Sequence, residues 1–215
     1  ALSGNAGQVL QGWDSRGSQQ RYEFDSSLRP VAVFEQAVDE TQECCVERLS
    51  YAGMSAEHAD HNRCGRLIRH DDCAGSVMHE QYGLSGAITQ QARVFLRPQV
   101  TTDWSQEASL REALLETERN VSAWHYDALG SLLEQTDAKG NRRQSRYGPE
   151  GELTQTVLVF KGGARKVVLN QRRYNAQGQV ESERAGNQVL TEATYASLDG
   201  RLQRLVAHTG GQKKT

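Results

Sequence analysis

The sequence contains few of the residues that mark several common classes of protein. Its 215 residues include only three prolines and four cysteines, so neither a proline-rich linker nor a dense disulfide framework is indicated. It has no apolar run of about 18 residues, the length that a membrane-spanning helix requires. The formal net charge is −2, which provides no general basic field for nucleic acid. We therefore expect neither a membrane-spanning segment nor a nucleic-acid partner.

Catalytic and targeting motifs are equally scarce. The sequence has no P-loop, no G-x-S-x-G or H-E-x-x-H motif and no dinucleotide-binding glycine motif. Its first residues have neither the basic nor the apolar region of a signal peptide. We expect no enzymatic activity and no cofactor. Because the chain does not begin with Met, we also expect it to be part of a longer protein.

Glycine is abundant, with 20 copies, and many of these glycines close a repeated motif. An aromatic residue is followed by Asp or another small residue, two variable residues, Gly, a polar residue and an apolar residue. The residues that define the clearest copies are Tyr126, Asp127 and Gly130; Asp137 and Gly140, in a turn that lacks the aromatic; Tyr147 and Gly151; Tyr174 and Gly178; and Tyr195 and Gly200. The four tyrosines are separated by 21, 27 and 21 residues. Weaker copies begin at Trp13, Phe24, Asp71 and Tyr82.

The motif has the chemistry of a β-hairpin. The aromatic residue would end a strand and cover the sheet, while the Asp side chain accepts backbone N–H groups two or three residues further on. The glycine supplies the positive φ of a type I turn followed by a bulge. Polar and apolar residues alternate between turns, as they do in half-buried strands. The pattern predicts an all-β protein in which an antiparallel meander of hairpins forms a curved sheet.

One segment interrupts this pattern. Residues 101–120 are rich in Ala, Leu and Glu, and their apolar residues recur at helical spacing. Ser109 with Glu112 fits a capping box, and Asp103 could cap a helix that starts earlier in the sequence. We predict one amphipathic helix near residues 104–119. It separates an irregular repeat segment (1–100) from a regular one (121–210), and both segments are expected to share one continuous sheet.

The motifs resemble those of the YD-repeat, or Rhs, family. Tyr126-Asp127-x-x-Gly130 and the segment from Thr136 to Asn141 are close to the core signature of that family. The segment from Tyr51 to Gly75 resembles part of the C components (TccC-like proteins) of bacterial insecticidal Tc toxin complexes. So does the helical segment followed by the Tyr126 motif, and the resemblance covers most of the chain.

The resemblance implies a fold, a role and a set of partners. YD repeats form a long antiparallel sheet that spirals into a hollow shell, which the C component closes together with a B component. A toxic C-terminal segment lies inside. The expected partners are therefore the B component, the remainder of the same chain and the enclosed segment. The protein would be made in the bacterial cytoplasm and released within a secreted toxin complex.

The chain departs from the family in one respect. The self-cleavage region of C components is built around Asp-Pro motifs, whereas the three prolines here follow Arg29, Arg97 and Gly148. The resemblance therefore implies that this chain is part of the shell wall.

Two other functions remain open. A zinc-stapled domain or zinc enzyme would use the potential ligands His58, His61, Cys64, His70 and Cys73. The spacings of three between His58 and His61 and between His70 and Cys73 resemble those of metal-ligand pairs. The alternative for these residues is a polar loop with ordinary thiols. A carbohydrate- or cell-surface-binding module would instead expose the repeated aromatic rings in a row on one face. The alternative for the rings is packing within the sheet.

Overall fold

The computed structural model describes residues 1–209 and 212–214. Its contacts divide the chain into two compact units, Ala1–Val121 and Ser122–Thr215. The elements that begin within the first unit are β1 Leu2–Ser3, β2 Val9–Trp13, β3 Gln19–Phe24, β4 Pro30–Gln36, β5 Cys44–Tyr51, α1 Ala56–Ala59, β6 Leu67–Asp72, β7 Gly75–Tyr82, β8 Ile88–Phe95, α2 Ala108–Ala113 and β9 Asn120–Tyr126. The strands that follow are β10 Leu132–Thr136, β11 Arg142–Tyr147, β12 Leu153–Val159, β13 Arg165–Tyr174, β14 Val180–Ala185, β15 Val189–Tyr195, β16 Leu202–Thr209 and β17 Gln212–Lys214.

Each unit is an antiparallel meander. In the first unit, each strand from β1 to β8 pairs with the next strand along the chain. In the second unit, the strands from β9 to β17 pair in the same way. The all-β meander predicted from the sequence is thus confirmed. No helix among the described residues is both long and apolar enough to cross a membrane.

Register shifts accompany the turns. In both units, the pairing shifts by one residue next to repeat turns, for example between Leu132 and Glu134 and between Arg146 and Tyr147. An extra residue beside a turn glycine is the bulge that the hairpin chemistry predicts. The local rules of the turn therefore also determine the register of the strands that follow.

The helix near residues 104–119 is present but much shorter than predicted. Helix α2 has six residues, Glu107 is its N-cap and no side chain caps it. Asp103 accepts the Cys45 N–H at 3.1 Å, and the Trp104 N–H donates to the Cys45 carbonyl at 3.0 Å. Leu115 forms an isolated bridge with Leu96. Both flanks of the predicted helix are thus bound to neighbouring strands, and this pairing overrides the local helix propensity.

The segment around α2 covers one face of the first unit. Trp104 is 1% exposed and packs in a cluster of Ala32, Cys45, Val94 and Leu115. The Trp104 indole N–H donates to the Asp72 carbonyl at 3.2 Å, and the Arg48 guanidinium donates to the Trp104 carbonyl at 2.8 Å. A buried aromatic residue with satisfied polar groups is a strong anchor.

A charged cluster lies beneath the same segment. Asp71 is fully buried and accepts the Arg69 Nε–H at 2.7 Å, while a guanidinium nitrogen of Arg111 lies 3.1 Å from its other oxygen. Ser76 and Glu112 complete the network with Arg69 and Asp71. A buried carboxylate of this kind requires its cationic partners, so Asp71 ties α2 to the sheet.

Candidate functional site: the repeated turns and their tyrosines

The turn at Asp127 shows how one repeat is built. The Gly130 N–H donates to the Asp127 carbonyl at 3.1 Å, and the Asp127 N–H donates to the Ser131 carbonyl at 3.0 Å. The Asp127 carboxylate accepts the Leu129 and Ser131 N–H groups at 2.9 and 2.8 Å. Gly130 has a φ of 88°, which a side chain would strain. Four backbone N–H groups and two backbone carbonyls are therefore satisfied within five residues.

The same bonds recur at other turns. A side-chain oxygen at the Asp position accepts N–H groups two and four residues further on at Asp14, Asp25, Asp137 and Asn175. In the Asp25 turn Leu28 occupies the glycine position with a φ of 60°. A leucine held there carries backbone strain, so the turn geometry persists where its preferred residue is missing.

Hydrogen bonds lower the pKa of the turn carboxylates. The pKa of Asp127 lies below its usual value chiefly because the Ser131 N–H donates to it, with further donation from Leu129. For Asp137 the largest cause is the Asn141 side chain, and for Asp25 it is the Arg29 N–H. These carboxylates are hydrogen-bond acceptors for their own turns, and their environment does not poise them for proton transfer near neutral pH.

The turn at Tyr147 uses a different side chain for the same purpose. Gly148 occupies the Asp position, and a Cβ built on it would lie 1.8 Å from the Glu152 carboxylate. That carboxylate accepts the Glu150 N–H at 3.0 Å. Glu152 therefore reaches back into the space that the missing Asp would occupy, and the turn retains a side-chain acceptor.

Five tyrosines each join their own turn to the preceding turn on the same edge of the sheet. The Tyr147, Tyr174 and Tyr195 hydroxyls donate to the carbonyls of Leu132, Leu153 and Val180 at 3.1, 2.9 and 2.9 Å. Tyr82 and Tyr51 donate in the same way to Leu67 and Pro30, at 2.5 and 3.0 Å. Each acceptor lies two residues after the glycine position of the preceding turn on that edge, and it is the first residue of its strand.

Tyr51 begins a repeat that the sequence analysis did not identify. The Ala52 N–H donates to the Arg66 carbonyl, and the Gly65 N–H donates to the Ala52 carbonyl, which reproduces the bonds of the Asp127 turn. Twelve residues, including α1, separate Ala52 from Gly65, whereas two separate Asp127 from Gly130. The spacing of the aromatic residues indicated this repeat. Tyr51 lies 27 residues after Phe24 and 31 residues before Tyr82. Without the ten extra residues, the second interval is 21, the same as between Tyr126 and Tyr147.

The inserted segment is fixed to its neighbours. The His61 carbonyl accepts the Tyr82 N–H at 3.1 Å, and the Asn62 amide donates to the Tyr82 carbonyl at 2.9 Å. On the other side, Arg29 donates to the Gly65 carbonyl at 2.8 Å. The insertion therefore connects three consecutive turns on one edge of the first unit.

The potential zinc ligands do not form a metal site among the described residues. No group of three or more His, Cys, Asp or Glu side chains there is placed to hold a metal ion. His58 lies in α1, with His61 and Cys64 after it in the insertion. His70 lies on β6 with its Nε2 3.0 Å from a Glu47 carboxylate oxygen, and Cys73 is exposed at the β6–β7 turn as one of four free cysteines.

The tyrosine rings do not form an exposed platform. Tyr82 is buried, and Tyr126, Tyr147, Tyr174 and Tyr195 are half-buried. Arg66 lies over the Tyr82 ring at 5.0 Å, and Arg29 lies over the Tyr51 ring at 4.2 Å. These contacts and the hydroxyl bonds favour a role for the tyrosines within the sheet over sugar stacking.

The Asp-type turns and the tyrosine bonds together define a YD-repeat β-meander. No protein-family model matches the chain. Over 86% of its length it is 30% identical to the toxin subunit YenC2 of Yersinia entomophaga, and over 92% it is 29% identical to the toxin subunit YenC1 of the same organism. The chain is thus homologous to C-component-like subunits of Tc toxins, as the resemblance predicted.

Solved structures agree with this assignment. A crystal structure of TcdB2-TccC3 without its hypervariable C-terminal region matches 99% of the chain with a TM-score of 0.91 and 30% identity. The Photorhabdus luminescens Tc holotoxin pore matches 95% with a TM-score of 0.89. The chain spans about a fifth of the length of the curated relatives and a tenth of the matched structure chains.

Proposed function

We propose that this chain is a structural, non-enzymatic segment of the YD-repeat shell of a Tc-type insecticidal toxin complex. The shell, closed together with a B component, would enclose a toxic C-terminal segment of the same protein. The observation that carries the proposal is the set of five tyrosine bonds, each from one turn to the preceding turn on the same edge. Within each unit, these bonds cross-link neighbouring hairpins along one edge of the sheet.

The geometry suits a barrier. The backbone polar groups of a meander are paired between neighbouring strands, so the sheet can extend without a deep core. The turns satisfy their own N–H groups through Asp, Asn or Glu side chains. A thin, polar sheet of this kind can separate two aqueous volumes while both of its faces remain wet.

The proposed partners and location follow from the relatives. The matched structures contain TcdB2 together with TccC3, which supports association with a B component and with the remainder of a C component. Synthesis in the bacterial cytoplasm and release within the complex complete the proposal. Enclosure would keep the toxic segment from the cell that makes it.

Protease protection tests the proposal. The full-length protein is co-expressed with the B component of the same bacterium, the complex is isolated by size exclusion, and cleavage of the C-terminal segment is followed over time. We expect cleavage to be much slower in the complex than in protein that has been unfolded first. Equal rates would refute the shell role.

A matched pair of variants links protection to the turns. Replacing Tyr147, Tyr174 and Tyr195 together by Phe should lower the temperature at which protection is lost. Tyr22→Phe is the control, because the Tyr22 hydroxyl donates only to the exposed Gln20 side chain.

A further inference from the structure

The second unit carries most of the positive charge of the chain. Residues 122–215 contain 14 Lys and Arg and nine Asp and Glu, whereas residues 1–121 contain 11 and 18. The formal charges are therefore +5 and −7, although the whole chain has only −2. The second unit therefore has a local basic field that the net charge of the whole chain does not reveal.

Strand pairing places three of these arginines on one face of β13–β16. Directly paired residues share a face of a sheet. Arg173 pairs with Ser182 and Ser182 with Glu192, while Gln171 pairs with Arg184 and Arg184 with Leu190. Thr194, on the same face as Glu192, pairs with Arg204. We call this surface the Arg173 face.

The two faces differ in how their arginines are paired. On the opposite face, Arg172 forms an ion pair with Glu183 at 2.5 Å. None of the ion pairs formed within residues 1–209 includes the guanidinium group of Arg173, Arg184 or Arg204. Glu192, on the Arg173 face, lies 3.2 Å from His208 Nε2. Glu150, Glu152 and Glu181 share a second cavity with Arg173.

A small cleft lies in the middle of this face. Its volume is about 190 Å³, and its lining residues are Gln171, Arg173, Ser182, Arg184, Leu190 and Glu192. Guanidinium, amide and hydroxyl groups thus supply donors around a space that is smaller than the pockets of about 300–1,000 Å³ that hold drug-sized ligands. The size fits one anionic side chain.

We propose that the Arg173–Arg184 cleft binds a carboxylate side chain of an acidic polypeptide segment. Arg173 and Arg184 would hold the carboxylate by charge-assisted hydrogen bonds, and Arg204 would add to the field. In the proposed shell this segment belongs to the enclosed polypeptide. The assignment of this segment to the enclosed polypeptide rests on the proposed function, whereas the binding of a carboxylate by the cleft does not.

The lining favours a carboxylate over a phosphate. Glu192 contributes a negative charge to the cleft, and its repulsion is twice as large for a dianion as for a monoanion. The backbone of Ser182 and Arg184 is paired with strands on both sides. The cleft therefore lacks the free backbone N–H groups that characterise phosphate-binding loops.

Anisotropy of a fluorescein-labelled poly-L-glutamate peptide, titrated with the full-length protein, tests the proposal. The Arg173→Gln/Arg184→Gln variant should bind at least about tenfold more weakly than the wild type. The control with the same net charge is Arg142→Gln/Arg146→Gln on β11, which should remain within about twofold. Circular dichroism checks that both variants are folded.

Three results would overturn the inference. The first is no binding of the peptide by the wild type. The second is equal weakening by the two double variants, which would mean that only net charge matters. The third is displacement of the peptide by inorganic phosphate more effectively than by acetate at equal ionic strength and pH 8, which would indicate a phosphate site. Because this assay is independent of protease protection, the shell role and the cleft can fail separately.

Discussion

The Tyr147 hydroxyl donates to the Leu132 carbonyl at 3.1 Å, across 15 residues of sequence. Leu132 begins β10, and Tyr147 ends β11. One side chain therefore connects a turn to the preceding turn on the same edge of the sheet, and the relationship recurs at Tyr82 and Tyr195 with the same separation. The tyrosine of the repeat is a cross-link between turns as well as a cover for the sheet.

Removing this hydroxyl should weaken the fold measurably. Tyr147→Phe keeps the ring but deprives the Leu132 carbonyl of its donor, so we expect a loss of about 1 kcal/mol. For a domain of this size that corresponds to roughly 2–4 °C in Tm. Thermal unfolding by circular dichroism measures it. Tyr22→Phe should change Tm by less, and an equal effect of the two substitutions would contradict the cross-link.

The substitute acceptor at Glu152 predicts a rescue. Glu152→Ala should cost about 1 kcal/mol, because the Glu150 N–H loses its acceptor. Gly148→Asp in the same protein supplies the carboxylate used at Asp127 and should restore most of the stability. Urea unfolding of the wild type, both single variants and the double variant measures the coupling. If the effects of the two substitutions simply add, Glu152 does not replace the missing Asp.

The turns were predictable because their determinants are local. Asp127, Asp137 and Asn175 bond to residues within four positions, so the order of residue types is enough to reveal them. The Gly148 turn departs from that order, and its replacement acceptor is recognisable only when Glu152 is seen beside Gly148. The acceptor carbonyls of the tyrosines lie 15 or 21 residues away, and only the register of the strands brings them into reach.

The helix was overpredicted for the opposite reason. Residues 104–119 have helical composition, but Asp103 and Trp104 bind Cys45, about 58 residues earlier in the sequence. A contact over this distance in sequence cannot be predicted from local residue patterns. The insertion after Tyr51 was missed because its ten extra residues break the period, and because its histidines and its one cysteine suggested part of a metal site.

Trp104 should anchor the segment that contains α2. Trp104→Ala removes a side chain that is 1% exposed, and we expect a loss of about 3–5 kcal/mol. Urea unfolding monitored by circular dichroism measures it. Trp13→Ala is the control, because Trp13 is 51% exposed, and its loss should be below about 1 kcal/mol. Similar losses in both variants would show that the segment is not anchored through Trp104.

His79 should make the first unit sensitive to mild acid. Burial, reinforced by the charge of His70, lowers the pKa of His79 below its usual 6.5, and its Nδ1 has no hydrogen-bond partner among the described residues. Because the unfolded chain binds this proton more readily, stability falls as the pH drops below about 6.5 towards the folded pKa.

The His79→Gln variant isolates this effect. We expect its Tm to decline less than that of the wild type between about pH 7.5 and 5.5, whereas the exposed His125→Gln variant should follow the wild type. An unchanged slope in the His79 variant would assign the acid sensitivity to other groups.

The central claim is that this chain is a wall segment of a closed shell. The most direct measurement is a cryo-electron microscopy map of the full-length protein bound to its B component. The account predicts that β2–β16 lie within the wall of a closed cavity, with strands hydrogen-bonded to flanking repeats and density for the C-terminal segment inside. A map in which these strands form a separate module outside any cavity would contradict it.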